Sequence, residues 1–300
     1  MNMQNLSLSE LGEIRRAAQQ FKREARWTPP RFATGHRIDH EDPAASACNW
    51  STRTRIVKLS SGRQIFLIYR YTFSWMHVLF DNFLRLFCGR KSAKTLTESH
   101  WHVVFEDKSR IAVYNIAVKS VVALRYVPNY NLWDVLHNNY GQLRSDDVWV
   151  GLLSLCIQIN RMHAGHRTWG DMIVNNVILE RIPRQQQATI CDTEVSYWGS
   201  VSFVEQCARD WRELIISVVG CDRHFFPDKA EAARKLFNMI EDRRVRVAIQ
   251  KWAATEFRWG KGHLTFWQKA LWPGYGGQLS TSLEDYILVR ETLADAPIDC

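Results

Sequence analysis

The alternation of hydrophobic and polar positions divides the chain into a strand-rich stretch followed by a helix-rich one. Two apolar runs flank the turn "SSG" in "RIVKLSSGRQIFLIYRY", which predicts a β-hairpin, and "RIAVYNIAV" and "SVVALRYV" predict further strands. From about residue 203 onward, apolar residues recur at helical spacing. This order predicts an α+β fold in two lobes, with a small β-rich N-lobe and a larger helical C-lobe.

Helix signals set the predicted domain limits. Ser7 and Glu10 have the spacing of a capping box at the start of "LSLSELGEIRRAAQQFKREARW", a charged helix that "TPPR" ends. A long helix is predicted to begin at Ser145, and two short strands, "NNVILE" and "ATICD", follow it inside the helical half. We therefore predict an N-terminal helical and linker extension over 1–52, an N-lobe over 53–128 and a helical C-lobe over 129–300.

An aromatic segment within the N-lobe, residues 71–91, has apolar side chains at helical spacing. They are Met76, Leu79, Phe80, Phe83, Leu84 and Phe87. Two interpretations stay open: an ordinary core helix, or an amphipathic insertion that lies against lipid, because Arg90, Lys91 and Lys94 follow it.

The composition indicates the kind of partner the protein binds and the cellular compartment in which it works. The formal charge of +8 favours an anionic partner such as a nucleotide, an acidic membrane face or a nucleic acid. No basic stripe interleaves with aromatic residues, which disfavours nucleic acid. The seven cysteines include no C-x-x-C pair, and Cys156 and Cys191 lie in apolar stretches, so we expect buried thiols in a reducing cytoplasm. The polar N-terminus lacks the apolar core of a signal peptide.

Candidate chemistry centres on "WGDMIVNN", residues 169–176, between two apolar runs. Asp171 and Asn176 favour turns and could simply be solvated. Phosphoryl transfer offers another interpretation, because it needs a carboxylate at the acceptor hydroxyl and oxygen ligands for metal ions. Asp192, after the apolar run "ATI", supplies a third oxygen side chain.

Four stretches together resemble the protein-kinase-like superfamily. "MHAGHRTWGDMIVNNVIL" resembles its catalytic loop, "TICD" the strand that carries its metal-binding aspartate, and "VVALRYVPNYNLWDVL" its hinge. "CARDWRELIISVV" resembles a helix of the kinases that phosphorylate heptose or Kdo sugars of the lipopolysaccharide core. The resemblance covers roughly residues 53–220, and it implies that Asp210 is structural and holds the catalytic loop.

The same resemblance implies a function and a set of site residues. ATP and Mg²⁺ would be the cofactors and a lipopolysaccharide-core sugar the acceptor, at the cytoplasmic face of the inner membrane. Asp171 would be the general base or orienting carboxylate, and Asn176 and Asp192 the metal ligands. Backbone groups of the hinge would meet the adenine, at Arg125, Tyr126 and Val127.

The sequence departs from the family pattern mainly at positions that would bind ATP. Trp169 replaces the family's histidine, no glycine-rich loop is recognisable around Gly62, and Ile68 stands where the third-strand lysine belongs. Arg70 or Lys58 could supply that charge, although ordinary strand-edge charges are the favoured interpretation of both and arginine replaces a lysine poorly. Glu98 is the candidate for the glutamate that orients the lysine. Two alternatives therefore stay open: a pseudokinase that acts as a binding module, and an atypical protein kinase. His163 has no metal-spaced partners and is expected to pack beside the loop.

Overall fold

The chain divides into two compact units, residues 1–127 and residues 128–300. The structure, a computed structural model, describes residues 6–27, 52–70, 90–92, 113–127, 130–138, 142–170, 172–182, 185–190, 195–197, 201–260 and 281–298. Most of the predicted aromatic segment 71–91 lies outside these ranges, as does Cys191.

The first unit contains a helix and an antiparallel sheet. Its elements are α1 (Leu8–Trp27), β1 (Thr52–Lys58), β2 (Gln64–Arg70), β3 (Arg90–Ser92), β4 (Val113–Tyr114) and β5 (Val121–Arg125). Four strands form a sheet in the order β1-β2-β5-β4, with every neighbouring pair antiparallel. The predicted hairpin is confirmed: Lys58 pairs with Gln64, and Gly62 in the turn has a φ of 83°, which favours glycine.

Helix α1 packs on one face of this sheet. The capping box is confirmed, because the Ser7 N–H donates to Glu10 Oε2 at 2.8 Å and the Glu10 N–H donates to Ser7 Oγ at 3.1 Å. The helix and the sheet share one buried apolar cluster, which includes Ile14, Ala18, Phe21, Ala25, Ile65, Leu67, Tyr69, Val121 and Ala123. Residues 1–52 are predicted above as an extension, but within them α1 is part of the first unit's core.

Two carboxylates of α1 also hold the hairpin turn. The Ser60 N–H donates to Glu13 Oε2 at 2.8 Å, and the Ser60 hydroxyl donates to the other oxygen of the same carboxylate. The Ser61 hydroxyl donates to Glu10 Oε1 at 2.8 Å. The tip of the hairpin is therefore held on the helix by hydrogen bonds to two carboxylates.

The second unit is mostly helical. Its elements are β6 (Tyr130–Asn131), α2 (Leu132–Asn138), α3 (Ser145–Ala164), a 3₁₀ turn (Val174–Asn176), β7 (Val177–Ile182), β8 (Gln185–Ile190), β9 (Val195–Tyr197), α4 (Phe203–Cys221), α5 (Lys229–Asn238), α6 (Arg243–Gly260) and α7 (Leu283–Ala294). Strands β6, β7 and β8 form an antiparallel sheet in that order, which confirms the predicted strand pair inside the helical half.

Helix α4 is the centre of the second unit's core. Except for Arg212, its residues from Trp211 to Val219 are at most 6% exposed. Residues just before α7 pack closely on it: the Thr281 hydroxyl donates to the Ile216 carbonyl at 3.1 Å, and a Cβ added at Gly220 would lie 2.3 Å from the Thr281 oxygen. Glycine at position 220, which has no Cβ, therefore lets this segment cross the helix closely.

The described elements confirm the predicted fold class, α+β with a small antiparallel-sheet unit and a helical unit. The start of the long helix is confirmed at Ser145, where the Asp147 carboxylate accepts the Arg144 N–H at 3.3 Å. No helix among the described ranges is both long and apolar enough to cross a bilayer.

Candidate functional site

The loop between α3 and β7 carries the residues with candidate chemistry. Helix α3 ends at Ala164, and the chain reaches β7 through the 3₁₀ turn at Val174–Asn176. Two positions in this loop have left-handed backbone, His166 with φ of 54° and Gly170 with φ of 95°. The second is suited to glycine, because a side chain is strained in that conformation. The "G-D" pair of the sequence therefore begins at a sharp change of chain direction.

A single carboxylate on α4 holds the loop main chain at this point. Asp210 Oδ2 accepts the Trp169 N–H at 2.7 Å, and Asp210 Oδ1 accepts the Gly170 N–H at 2.8 Å. Its two oxygens also contact His163 Nε2, at 3.1 Å, and the Tyr197 hydroxyl, which donates at 2.9 Å. The Asp210 side chain is completely buried. The prediction that Asp210 holds the loop is confirmed by these hydrogen bonds.

Electrostatics keep this buried carboxylate ionised. Burial alone raises the pKa of Asp210, but the hydrogen bond and the charge interaction with His163 and the N–H groups of Trp169 and Gly170 outweigh it and lower the pKa below its ordinary value of 3.8. An ionised acceptor makes stronger hydrogen bonds to N–H donors than a neutral one does. The position of the loop is thus fixed by a charge that persists at physiological pH.

A second set of hydrogen bonds fixes the end of the loop. The Val174 N–H donates to Ser217 Oγ at 3.3 Å, and the Asn131 side-chain amide donates to the Asn175 carbonyl. The Asn176 N–H donates to the Ile173 carbonyl at 2.9 Å, which closes the 3₁₀ turn, and Asn176 is largely buried. Helix α4 therefore anchors the loop at two places, seven residues apart on the helix, which is two helical turns.

Apolar side chains pack the same loop into the core of the second unit. Trp169, Met172 and Val174 are each at most 2% exposed and belong to its buried cluster. Trp169, which stands where the resemblance implies a histidine, is thus a packing residue here. Asp171 lies outside the described residues, between Gly170 and Met172, whose positions are both fixed.

The predicted metal ligands can be placed only in part. The amide oxygen of Asn176 is a ligand type that Mg²⁺ accepts, and the turn that carries it is well anchored. Strand β8 ends at Ile190 and is tied to α3 by the Gln158 amide, which donates to the Ala188 carbonyl at 2.7 Å. Asp192 follows that strand but lies outside the described residues. Within those residues, no cluster of three or more His, Cys, Asp or Glu side chains could hold a metal ion.

The candidate phosphate-binding cations lie at opposite ends of the hairpin in the first unit. Lys58 pairs with Gln64 and is exposed, whereas Arg70 pairs with Thr52 at the far end. Six strand positions separate these pairs, or roughly 20 Å. Ile68, at the lysine position, is 7% exposed in the middle of the sheet. The structure therefore does not bring Lys58 and Arg70 together, and Glu98 lies outside the described residues.

The predicted adenine contacts lie at the end of β5. Arg125 is exposed, Tyr126 is half-buried and Val127 is buried. The Tyr126 N–H donates to the Gln64 carbonyl at 3.4 Å, so this donor is already used within the first unit. An adenine contact in this stretch would have to use other main-chain groups.

The three cysteine thiols that the structure describes in the second unit are not catalytic candidates. Cys156, Cys207 and Cys221 are free and buried, as predicted for Cys156. Burial raises the pKa of each of these thiols to about 12. Because the thiolate is the nucleophilic form, none of the three is reactive at neutral pH.

Several residues of the loop network were not identified from the sequence. Tyr197, Ser217 and Asn131 bind the loop or its anchor, but the family resemblance gives none of them a role, although Ser217 and Asn131 lie within stretches that carry it. A serine on the buried face of a helix is the one local signal, because a buried hydroxyl needs a partner. His163 lies beside the loop as expected, and its partner is the Asp210 carboxylate.

Comparisons with known proteins add little to this geometry. No protein-family model matches the chain, and no curated protein matches it in sequence. Among solved structures, an apo pseudokinase is similar to it over 86% of this chain and 91% of that chain, with 13% identity and a TM-score of 0.38. Similarity at this level establishes neither the fold nor the function of this chain.

Proposed function

We propose that this protein is a kinase-like phosphotransferase that transfers phosphate from Mg-ATP to a sugar hydroxyl, with the lipopolysaccharide core as the acceptor class. The observation that supports this most directly is the attachment of Trp169 and Gly170 to the buried Asp210, immediately before Asp171. A carboxylate that meets a substrate hydroxyl needs a fixed backbone position, because catalysis of phosphoryl transfer is largely positioning and electrostatics.

Each loop residue has a role in this proposal. Asp171 orients the acceptor hydroxyl and accepts its proton. Asn176 and Asp192 supply amide and carboxylate oxygens, the ligand types that suit Mg²⁺. When bound, the metal neutralises charge on the phosphates. The anchored 3₁₀ turn supports this role because it fixes the backbone that carries the Asn176 amide.

In the first unit, main-chain groups of the hinge stretch would contact the nucleotide. Backbone groups of Arg125 and Val127 are the proposed contacts for adenine, because the Tyr126 N–H is already bonded to Gln64. Lys58 and Arg70 are the candidate cations for the phosphates. Since roughly 20 Å of strand separates them, only one of the two can serve.

A pseudokinase is the second candidate function, and Ile68 favours it. An apolar, buried side chain at the lysine position cannot contribute a charge to ATP binding. In that case the anchored loop would be retained for binding, with little or no phosphate transfer. The two candidates differ in turnover rather than in fold.

Thermal unfolding with and without Mg-ATP tests the nucleotide site. A ligand at about 100 times its dissociation constant stabilises the folded state by about 2.7 kcal/mol, which a melting curve resolves. We expect a magnesium-dependent shift that Asp192→Asn abolishes and that Glu284→Gln, an exposed carboxylate on α7, leaves unchanged. The absence of any shift at millimolar Mg-ATP would refute both a kinase and a nucleotide-binding pseudokinase.

A transfer assay then separates the two candidates. Labelled phosphate from ATP should appear on heptose- or Kdo-containing core sugar, and Asp171→Ala should remove this transfer while keeping the Mg-ATP shift. A shift without transfer to any sugar supports the pseudokinase instead.

Membrane contact is the final part of the proposal. The charge of +8 and the amphipathic segment 71–91 suit the anionic inner leaflet, where a lipid-anchored acceptor would lie. Co-sedimentation with anionic liposomes tests this. Replacing Phe80 and Phe83 by serine should weaken binding, and unchanged binding would remove segment 71–91 from the proposal.

A further inference from the structure

Helix α3 has a second apolar face that points to solvent. Val150, Leu153 and Ile157 are 44%, 43% and 40% exposed, and their spacing of three and four residues aligns them along one side of the helix. The opposite side of α3 is buried in the core of the second unit and includes Leu152, Leu155, Cys156 and Ile159. A helix with one stripe in its own core needs no second apolar stripe for folding.

This alignment is unusual within the described part of the chain. Six large hydrophobic side chains are exposed there, and three of them form this one line. The others, Leu8, Met239 and Val247, lie in separate places along the chain. Single exposed apolar residues are ordinary on protein surfaces, whereas an aligned group indicates a contact surface.

Two exposed residues of opposite charge bracket this line. Asp146 precedes Val150 by one turn, and Arg161 follows Ile157 by one turn. Neither side chain makes an ion pair or a side-chain hydrogen bond with any residue that the structure describes. We call Asp146, Val150, Leu153, Ile157 and Arg161 together the α3 stripe. It spans about 22 Å, at the rise of an α-helix.

The α3 stripe is complementary to itself when it is reversed. Its pairs are placed symmetrically about a point between Leu153 and Ser154: Val150 and Ile157 are equidistant from that point, as are Asp146 and Arg161. An antiparallel second helix would therefore bring Asp146 against Arg161 at both ends and Val150 against Ile157 between them. A parallel second helix would instead bring Asp146 against Asp146, which is repulsive.

We propose that the α3 stripe is the contact surface of a symmetric homodimer, in which α3 packs antiparallel against α3 of a second copy of this chain. Two-fold symmetry requires a surface that complements itself, and the order of charges and apolar groups along α3 meets that requirement. Ser154 at the centre is small and allows the helices to approach. This association is independent of phosphate transfer and uses only residues of the second unit.

The dimer is expected to be reversible. A stable interface buries on the order of 800 Å² per partner, and a single helix face with three apolar side chains covers less than that. We therefore expect a monomer–dimer equilibrium that responds to protein concentration, and not a permanent complex.

Sedimentation velocity of the full chain over a concentration series tests the proposal. Wild type should shift from monomer to dimer as concentration rises, and Leu153→Glu should remain monomeric because it buries two charges at the symmetry axis. Val247→Glu, an equally exposed apolar position on α6, is the matched control and should dimerise like wild type. A wild-type chain that stays monomeric at every concentration overturns the proposal. It is also overturned if Leu153→Glu and Val247→Glu lose dimerisation to the same extent.

Charge reversal tests the antiparallel arrangement itself. Asp146→Arg and Arg161→Asp should each weaken self-association about tenfold, because two symmetry-related pairs change from attraction to repulsion. An equimolar mixture of the two variants should recover dimer, since each chain then carries the charges that the other lacks. If the mixture associates as weakly as either variant alone while wild type dimerises, the antiparallel arrangement is wrong.

Discussion

The loop that precedes Asp171 and the hairpin turn at Ser60 are held in the same way but in different surroundings. In both, a carboxylate on a helix accepts a main-chain N–H, from Gly170 in one case and from Ser60 in the other. Asp210 is completely buried, whereas Glu13 lies at the surface. Water can replace the bond that Glu13 makes, but it cannot reach the donors around Asp210. The same hydrogen bond is therefore a fixed part of one region and a minor contact in the other.

Removing the buried carboxylate should have the largest effect. Asp210→Ala leaves the Trp169 and Gly170 N–H groups, the Tyr197 hydroxyl and His163 without their acceptor, and we expect a loss of about 3–5 kcal/mol in the free energy of unfolding. Urea denaturation of the purified variant measures it.

Asp222→Ala provides the matched control for this change. Asp222 is also buried, and it accepts the N–H groups of Phe225 and Phe226 at 3.0 and 2.9 Å, outside the loop. It should destabilise the fold while leaving any Mg-ATP shift in place, whereas Asp210→Ala should lose the shift as well. Loss of the shift in both variants would mean that general destabilisation, and not the loop, is responsible.

Acid should weaken the contribution of Asp210 in a defined direction. Its pKa in the folded state lies below its ordinary value of 3.8, so its stabilisation is present above that pH and is lost as the pH falls from 3.8 through the folded-state pKa. The difference between the urea midpoints of wild type and Asp210→Asn should therefore shrink as the pH is lowered below 3.8. A constant difference between them across this range would contradict an ionised Asp210.

The cap of α1 offers a smaller test in the first unit. Ser7→Ala removes the hydroxyl that accepts the Glu10 N–H, and loss of such a cap costs about 1 kcal/mol. Because α1 contributes to the core of that unit, the loss should be seen in urea denaturation and not only in local helix content. Ser7→Thr, which keeps the hydroxyl, should retain most of the stability.

The smallest effect is expected at the hairpin clamp. Glu13→Gln keeps an acceptor oxygen for the Ser60 N–H and removes only a charge at the surface, so the unfolding free energy should not change measurably. Amide hydrogen exchange at Ser60 is the sensitive measurement, and it should become faster. A destabilisation as large as that of Asp210→Ala would show that the exposed and the buried carboxylate contribute equally to stability.

Local signals in the sequence were sufficient for the elements but not for their partners. The capping box at Ser7, the turn at Gly62 and the helix start at Ser145 depend on neighbouring residues, and the structure confirms all three. The local signals of α1 predict a charged, capped helix but not the sheet on which it packs. Its inclusion in the first unit's core could be seen only in three dimensions.

The candidate site likewise contains residues that the sequence identified and residues that it did not. Asp210 was identified because the helix that carries it resembles a family pattern, and its bonds to the loop cross about 40 residues of chain. That pattern specifies neither Tyr197 nor Ser217, and a tyrosine that binds a distant carboxylate or a serine that binds a distant main-chain group resembles any other in sequence. The separation of Lys58 from Arg70 depends on strand register, which the hairpin residues alone leave open.

The position of Asp210 in the chain also constrains the order of events during synthesis and folding. The N–H groups of Trp169 and Gly170 emerge first, and their acceptor is made only when α4 follows. Until that helix has docked, the turn at Gly170 has nothing to hold its left-handed backbone. The loop is therefore completed late, by a residue from beyond it, so that any ligand of this loop would bind only to chains in which α4 is already in place.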